Sequence, residues 1–255
     1  MKMTGNTMLI TGGGSGIGQA LAHRFHDLGN SIIVAGRREE ALQQTIQGRE
    51  NMHALPLDIE SPEAISRFAQ QLVADYPEVN VVINNAGIMR IETLEQSRDL
   101  SDAEATVTTN LLGPIRLTNA LIDHLLQQPD AALVNVSSGL AFVPLLAAPT
   151  YSATKAAIHS YTVALREALR DRIEVIELAP PAVQTDLTPG QSTRPGYLPL
   201  TAYIDEVMAL FRQQPTPQEI LVERVGFLRF AEAENRFAEA ITTLNDSARR
   251  AREEQ

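Results

Sequence analysis

The stretch Thr11-Gly12-Gly13-Gly14-Ser15-Gly16-Ile17-Gly18 decides the fold of this chain. It follows a short apolar run, Met8-Leu9-Ile10, and it precedes apolar residues at helical spacing, namely Ala20, Leu21, Phe25 and Leu28. The local order is therefore strand, glycine-rich turn, helix. Glycines let the backbone turn tightly and approach a ligand, and a helix N-terminus favours a pyrophosphate. In this context the stretch predicts a dinucleotide-binding turn, although a glycine-rich stretch on its own can be a plain tight turn.

The strand-and-helix alternation continues along the chain. Further apolar runs of strand length occupy residues 31–35, 52–57, 79–83, 131–136 and 173–178, with a shorter one at 219–222. Strands that alternate with helical segments predict an α/β fold, a Rossmann-type, doubly wound parallel sheet of six to seven strands with helices on both faces. Ligands of such a sheet bind beyond the carboxyl ends of its strands.

The domain organisation follows from the absence of repeats and low-complexity linkers. We predict a single domain over residues 1–255. Residues 186–200 are rich in Thr, Pro, Gly and Gln and show little periodicity, so we expect a substrate lid at about 186–213.

Composition narrows the functional class. The chain has 255 residues, 44% of them hydrophobic, with a net charge of −10 and no cysteine. An acidic chain is repelled by phosphate backbones, which argues against nucleic-acid binding. The lack of cysteine excludes disulfides, thiol catalysis and cysteine-ligated metals. No apolar run approaches the ~18 residues that span a bilayer, and the start of the chain has no signal-peptide pattern. We therefore expect a cytoplasmic protein that does not bind membranes.

The end of the second predicted strand indicates which dinucleotide is bound. An NAD site usually has an acidic residue here for the ribose 2′-hydroxyl, but this chain has Gly36-Arg37-Arg38. Two guanidinium groups suit a 2′-phosphate, so we predict NADP(H), with Arg37 the stronger candidate. The alternative is that one or both arginines are solvated charges. Asp58, at the end of the third strand, can accept from an adenine amino group or serve only as a loop carboxylate or cap.

The stretch Tyr151-Ser152-Ala153-Thr154-Lys155 carries the predicted chemistry. A tyrosine and a lysine four residues apart lie on one face of a helix. A phenol with a pKa near ~10 is a poor acid or base at neutral pH, and a nearby ammonium favours the phenolate and lowers that pKa. Such a pair also occurs by chance on amphipathic helices.

A proline interrupts the long helix predicted from Leu100 to about Leu126. Pro114 has no N–H to donate to the carbonyl of Asn110, so that carbonyl is expected to be free at a local kink. A freed carbonyl in a buried helix needs a partner, and water is a natural one. The alternative is a structural kink without a further role.

These motifs, in this order, resemble the short-chain dehydrogenase/reductase family over nearly the whole chain. The resemblance rests on T-G-G-G-S-G-I-G at 11–18, N-N-A-G at 84–87, Asn110, Ser138 and Y-S-A-T-K at 151–155. Within the family, G-L-A-F-x-P at 139–144 and A-P-P at 179–181 most resemble the DltE-like members. The chain departs from the family pattern at Pro181, where glycine is usual. Its tail also lacks the glycine-rich hydrophobic ending that helps many members form tetramers.

The resemblance implies roles for four catalytic residues. Tyr151 is the proton donor or acceptor at the reacting oxygen, and Lys155 lowers the pKa of Tyr151 and holds the nicotinamide ribose. Ser138 hydrogen-bonds the substrate oxygen, and Ser137 is its rival for that role. Asn110 holds a water that links Lys155 to solvent. The implied cofactor-binding residues are Gly12, Gly14, Ser15, Gly16, Ile17, Gly18, Arg37, Arg38, Asp58, Ile59, Asn85, Ala86, Gly87, Tyr151, Lys155, Pro180, Val183 and Thr185.

The expected function is an NADP(H)-dependent oxidoreductase that reduces a carbonyl or oxidises the matching alcohol. An apolar wall is predicted after Ser138, so the expected substrate is a fairly hydrophobic ketone or aldehyde; the wall residues are Leu140, Phe142, Val143, Leu145 and Leu146. Several of these could instead be core. We expect no metal, because the five histidines are scattered, and a homodimer through the Asn110 and Tyr151 helices rather than a tetramer.

Two alternatives remain open at this point. One is a regulatory or scaffold protein that binds NADP(H) without turnover. The other is a role in D-alanine transfer to cell-wall polymers, which the DltE-like resemblance alone suggests. The chain has no cysteine, no G-x-S-x-G elbow and no histidine near Ser138 in sequence, so nothing in it resembles an acyl-transfer site.

Overall fold

A computed structural model describes residues 1–253 of the chain. Seven strands form one sheet, in which every neighbouring pair is parallel and the order is β3-β2-β1-β4-β5-β6-β7. The strands are Thr7–Thr11 (β1), Ser31–Gly36 (β2), Met52–Pro56 (β3), Val79–Asn84 (β4), Ala132–Val136 (β5), Glu174–Leu178 (β6) and Glu219–Ile220 (β7). The predicted Rossmann-type sheet of six to seven strands is confirmed.

Helices cover both faces of the sheet. They are Gly16–Asp27 (α1), Glu39–Ile46 (α2), Pro62–Asp75 (α3), Ser101–Val107 (α4), Gly113–Leu125 (α5), Pro149–Ala168 (α6), Leu200–Phe211 (α7), Gly226–Arg229 (α8) and Phe237–Glu253 (α9). One core packs α1 and α7 against the sheet, and a second core packs α3 and α5 against the opposite face. The central strands are apolar and buried on both faces, as parallel strands between two helical layers require.

The strand order fixes where a ligand can bind. Strand β1 pairs with β2 on one side and with β4 on the other, so the connections reverse direction between β1 and β4. Such a reversal opens a crevice beyond the carboxyl ends of the two strands. The glycine-rich turn at 11–18 and the Asn84-Asn85-Ala86-Gly87 segment both lie at this edge.

The predicted lid at 186–213 contains a packed helix at its C-terminal end. Residues 200–211 form α7, whose Tyr203 and Phe211 side chains are fully buried. The Phe211 ring packs edge-on against Phe25 of α1, with the ring centroids 5.6 Å apart. A helix with this much buried apolar surface is less mobile than an exposed loop. A substrate lid at 186–213 stays a prediction.

The helix interrupted by Pro114 continues through a single π-helical turn at Thr108–Leu112. The Gly113 N–H donates to the Thr108 carbonyl, five residues earlier, and α5 then begins. The sequence therefore predicted the site of an irregularity correctly, and the structure gives its form. A water on the Asn110 carbonyl stays a prediction.

Across residues 1–253, no helix combines the length and apolar character that crossing a membrane requires.

Candidate active site

A cavity of about 510 Å³ opens at the carboxyl edge of the sheet. On its dinucleotide side, the Thr11 hydroxyl accepts the backbone N–H groups of Asn85 and Ala86 at 3.0 and 3.1 Å. The Asn85 side-chain amide donates in return to the Thr11 carbonyl at 3.0 Å. These bonds tie the turn after β1 to the segment after β4, and so hold the two walls of the crevice together.

Two glycines make this close approach possible. Gly12 has a φ of +67°, and a Cβ there would lie 2.9 Å from the Ala86 Cα. A Cβ on Gly18 would lie 2.4 Å from the Gly12 carbonyl oxygen. Side chains at these positions would push α1 away from the turn. Ser15, Gly16 and Ile17 line the cavity at the start of α1, so the observed turn fits a pyrophosphate group.

The two arginines after β2 have different partners. The Arg38 guanidinium donates to the Ser15 hydroxyl at 2.9 Å, which places it against the glycine-rich turn. Arg37 forms an ion pair with Glu60 at 2.9 Å. Both line the cavity. The geometry therefore makes Arg38 the better-placed group for a ligand phosphate, although the sequence favoured Arg37.

Helix α6 carries Tyr151 and Lys155 on its buried face. The Lys155 Nζ donates to the Val136 carbonyl at 2.8 Å and lies 5.6 Å from the centroid of the Tyr151 ring. Tyr151 is 7% exposed and Lys155 is 4% exposed. The end of β5 thus fixes the ammonium beside the phenol.

Burial dominates the titration of this pair. Burial raises the pKa of Tyr151 to about 12, and the neighbouring Ser138 side chain acts in the opposite direction. Burial also lowers the pKa of Lys155 to about 8, and the Glu177 carboxylate partly opposes that change. The sequence predicted a lowered pKa for Tyr151; the net direction is the reverse, because the desolvation of the phenol outweighs the influence of its neighbours.

The two serines after β5 have different surroundings. The Ser137 hydroxyl donates to the buried carboxylate of Glu177, whereas the Ser138 hydroxyl accepts the Leu140 N–H at 3.1 Å. The Ser138 proton is therefore not used by that bond and can be donated. This geometry favours Ser138 over Ser137 as the group for a substrate oxygen.

The side chain of Asn110 forms hydrogen bonds to a segment that lines the cavity. Its amide accepts the Ile88 N–H and donates to the Ile88 carbonyl, both at 2.8 Å. Since Asn110 sits in the π-helical turn, this pair of bonds fixes the segment after Gly87 to the interrupted helix.

The comparisons with known proteins agree with this geometry. The short chain dehydrogenase family model matches residues 6–195. The chain belongs to the short-chain dehydrogenase family. It is 40% identical over 235 residues to the uncharacterized oxidoreductase DltE of Bacillus subtilis (strain 168), covering 91% of this chain and 93% of that protein. The DltE-like resemblance is thereby confirmed.

A second relative of this short-chain dehydrogenase is a sulfoacetaldehyde reductase of Chromohalobacter salexigens, which is 33% identical over 186 residues, covering 71% of this chain and 74% of that one. Among solved structures, a short chain dehydrogenase from Burkholderia cenocepacia J2315 in complex with NADP superposes with a TM-score of 0.82. That match covers 96% of this chain and 99% of the other, at 24% identity, and it shows the shared fold.

Most of the predicted site residues line this cavity at the carboxyl edge of the sheet. The residues so placed are Gly12, Gly14, Ser15, Gly16, Ile17, Arg37, Arg38, Ile59, Asn85, Ala86, Gly87, Ser138, Tyr151, Lys155, Pro180, Val183 and Thr185. Gly18 and Asn110 lie behind the lining and support it through the contacts described above.

Asp58 is also outside the lining. It is exposed, and its carboxylate accepts the Glu60 N–H at 3.1 Å within the loop before α3, the loop-carboxylate alternative left open by the sequence. A contact between Asp58 and adenine stays a prediction.

The predicted apolar wall is wrong as a description of the cavity. None of its five residues is among the cavity-lining residues. The residues that follow Ser138 form a short 3₁₀ turn at Gly139–Ala141. Val143 is buried in a small core with Ala231 and Ala240, and Phe142 packs against the His159 ring at 5.0 Å.

Sequence reasoning missed several residues on the substrate side of the cavity. They are Ile88, Arg90, Thr109, Asp186, Leu187 and Gln191. Ile88, Thr109 and Asp186 directly adjoin N-N-A-G, Asn110 and Thr185. The other three lie a few residues further along, at two (Leu187), three (Arg90) and six (Gln191) residues from a motif. Gln191 is anchored by a bond from its side-chain amide to the Val183 carbonyl at 2.9 Å. Proximity in sequence to a motif at a strand end was the signal that could have identified them.

Proposed function

We propose that this protein catalyses the NADP(H)-dependent reduction of an aldehyde or ketone, or the oxidation of the matching alcohol. One observation carries the proposal. A buried tyrosine, a buried lysine and a serine hydroxyl line the same cavity as the glycine-rich turn.

Each of these residues has a task in the proposed reaction. Ser138 donates a hydrogen bond that orients the carbonyl oxygen. Tyr151 is protonated over the neutral pH range, because its pKa is raised to about 12, and it can therefore give its proton to the oxygen as the alcohol forms. Lys155, held by the Val136 carbonyl, places a cation beside the phenol and favours its ionised form after transfer. NADPH supplies the hydride when it is bound.

The choice of NADP(H) over NAD(H) is argued from charge. No acidic residue stands at the end of β2, where Gly36, Arg37 and Arg38 line the cavity. Arg38 is already directed at the glycine-rich turn by Ser15, so a phosphate on the adjacent ribose would meet a preorganised guanidinium.

The proposal is tested by cofactor binding and by turnover together. Fluorescence titrations with NADPH and NADH give the two dissociation constants, and loss of NADPH absorbance reports turnover over a panel of aldehydes and ketones. The panel includes sulfoacetaldehyde, the substrate named for a relative. We expect tighter binding of NADPH and turnover of at least one carbonyl. Tighter binding of NADH would contradict the cofactor choice, and binding without turnover across the panel would favour a sensing role.

A further inference from the structure

Strand β6 carries a fully buried carboxylate that the proposed reaction does not use. Glu177 is 0% exposed. One of its oxygens accepts the Ser137 hydroxyl, and the other lies 2.7 Å from the Nδ1 of His159. A buried carboxylate is costly unless it is hydrogen-bonded and paired with a cation. The two contacts supply the hydrogen bonds, which leaves the balancing charge to be identified.

Both partners of Glu177 are neighbours of the active-site lysine. Ser137 follows Val136, whose carbonyl accepts the Lys155 Nζ. His159 lies four residues after Lys155 on α6, one helical turn along the same face. Glu177 is therefore held between the strand end and the helix that together position Lys155.

A second carboxylate nearby is already neutralised. Glu219 accepts two bonds from the Arg229 guanidinium, at 2.9 and 3.0 Å, and that guanidinium also stacks over the Phe142 ring at 4.7 Å. The ligand atoms of His159, Glu177 and Glu219 lie within 4.8 Å of one another, a spacing that a metal could use. Arg229 occupies the Glu219 carboxylate, however, so this cluster is better described as an ion-pair network.

Glu177 accepts no bond from Arg229, although the charge of Glu177 helps to raise the pKa of Arg229. Within residues 1–253, its one ion-pair contact is with His159, which carries charge only when protonated. On its own helix, Tyr151 has its ring centroid 5.6 Å from the Lys155 Nζ, and the charge of Glu177 on β6 acts on Lys155. The other charged groups that line the cavity are Arg37, Arg38, Arg90 and Asp186. The charge of Glu177 therefore acts on Arg229 and on Lys155, and of these two cations Lys155 is the buried one.

We propose that Glu177 is the counter-ion of Lys155, a positioning residue whose buried negative charge keeps the active-site lysine in its ammonium form. The electrostatic balance agrees with this role. Burial lowers the pKa of Lys155 to about 8, and Glu177 acts in the opposite direction. Without the carboxylate, burial would act unopposed, and the lysine would lose its proton at a lower pH. The consequence for catalysis rests on the proposed function; the charge pairing itself does not.

The chain allows a direct measurement, because Lys2 and Lys155 are its only lysines. In protein grown with lysine isotopically labelled at Cε, NMR titration should follow two signals. Lys2 is exposed and serves as the internal reference, and Lys155→Met assigns the second signal. We expect Glu177→Gln to lower the Lys155 midpoint by at least roughly 0.5 pH unit, which is about a threefold change in the ratio of the charged to the neutral form. Glu219→Gln, which removes the carboxylate paired with Arg229, should leave the midpoint in place.

Two further variants keep the test decisive. Glu177→Asp retains the charge and should restore most of the Lys155 midpoint, which a purely steric role would not predict. If Glu177→Gln does not fold, Glu177→Met offers an uncharged side chain of similar length. An unchanged Lys155 midpoint in a folded, uncharged variant would overturn the proposal.

The pH profile of turnover provides the second readout. Loss of the counter-ion should move the alkaline limb of kcat to lower pH by the same amount as the NMR midpoint, and a uniform loss of rate at every pH would contradict the role. If the NMR midpoint shifts but no carbonyl substrate is turned over, the ion pair stands and the proposed function fails. If a carbonyl substrate is turned over but the Lys155 midpoint does not move, the proposed function stands and the ion pair fails.

Discussion

Lys155 is the residue whose charge should make the activity of the site depend on pH. Its pKa is lowered to about 8 by burial, whereas Tyr151 keeps its proton to about pH 12. As the pH rises through about 8, the ammonium beside the phenol is lost while the phenol stays protonated. We expect kcat for carbonyl reduction to fall above that pH, and a pH–rate profile under saturating substrate measures it. A flat profile from neutral pH to about pH 10 would contradict this assignment of charge.

The free energy of unfolding, in contrast to kcat, should rise over the same alkaline pH range. The unfolded chain holds the Lys155 proton up to its ordinary pKa of 10.5, and the folded chain releases it near 8. Between these values the unfolded state binds more protons, so the free energy of unfolding rises with pH. Tyr151 has the opposite effect, but only above its ordinary pKa of 10.0. Denaturant titrations from pH 7 to 10 (roughly this window) should show the rise, and Lys155→Met should remove it.

The two arginines after β2 should differ in their effect on cofactor binding. Arg38 is held against the glycine-rich turn by Ser15, and Arg37 is engaged by Glu60. A charge-assisted bond to phosphate contributes roughly 1.5–3 kcal/mol, so Arg38→Leu should weaken NADPH binding about 10- to 100-fold and leave NADH binding nearly unchanged. Arg37→Leu should have the smaller effect in the same fluorescence titration. Equal losses for NADPH and NADH would contradict a role in phosphate recognition.

At the residue scale, the sequence predicted which side chains meet but not their electrostatic state. The spacing of Tyr151 and Lys155 was enough to place them on one helical face. Their burial, and the carboxylate of Glu177 behind Lys155, depend on a strand that is distant in sequence. The partners of Arg37 and Arg38 were beyond prediction for the same reason, since Glu60 and Ser15 are each 23 residues away.

Among the elements, helix α6 depends on a carboxylate from a distant loop. Glu92, whose side chain is 3% exposed, accepts the Thr150 N–H at 3.1 Å and the Thr150 hydroxyl at 2.8 Å, and it pairs with Arg98 at 2.8 Å. A carboxylate at a helix N-terminus satisfies free N–H groups and interacts favourably with the helix dipole. This contact therefore fixes the start of the helix that carries Tyr151.

Removing that carboxylate should destabilise the protein in a pH-dependent way. Burial raises the pKa of Glu92, but the bonds from Thr150 and Arg98 outweigh it and hold the pKa below its ordinary 4.5. Its stabilising effect is thus present above pH 4.5 and is lost as the pH falls through the lowered value. Glu92→Gln should cost roughly 1–3 kcal/mol at neutral pH in thermal unfolding. Glu95→Gln, in the same loop but exposed, is the control and should cost little.

The elements themselves were largely predictable, and their irregularities were not. Strands buried on both faces appear in the sequence as apolar runs, which is why those from Thr7 to Leu178 were located closely. Pro114 marked the interruption before α5, but only the structure distinguishes a π-helical turn from a simple kink. The packing of residues 200–211 could not be predicted from the sequence, because their partner, Phe25 of α1, is distant in the chain.

For the molecule as a whole, we predict a homodimer. Val163 of α6 and Leu112 of the π-helical turn are 41% and 36% exposed, and both belong to the helices through which a dimer is predicted. We expect light scattering to give a dimer for the wild type and a shift toward monomer for Val163→Glu, because a buried unpaired carboxylate is unfavourable. Leu94→Glu, an equally apolar exposed position outside these helices, is the control. A monomeric wild type would contradict the prediction.

Most features of the whole molecule could be predicted from the sequence alone. The parallel sheet, the crevice at its carboxyl edge and most of the residues lining the cavity follow from strand ends and glycines. The substrate side of the cavity does not, because Arg90, Asp186 and Gln191 lie in segments without periodicity. The residues expected after Ser138 to face a substrate are also absent from the cavity lining; Phe142 packs against His159, and Val143 lies in a small core.

In the proposed reaction, Tyr151 gives a proton to a carbonyl oxygen next to bound NADPH. The most direct test measures NADPH binding and carbonyl turnover in Tyr151→Phe, with Tyr161→Phe on the same helix as the matched control. We predict that the Tyr151 variant binds NADPH as the wild type does but loses turnover by roughly 100- to 10,000-fold, while the control keeps both. Turnover near the wild-type rate in Tyr151→Phe would contradict the role of Tyr151 as the proton donor.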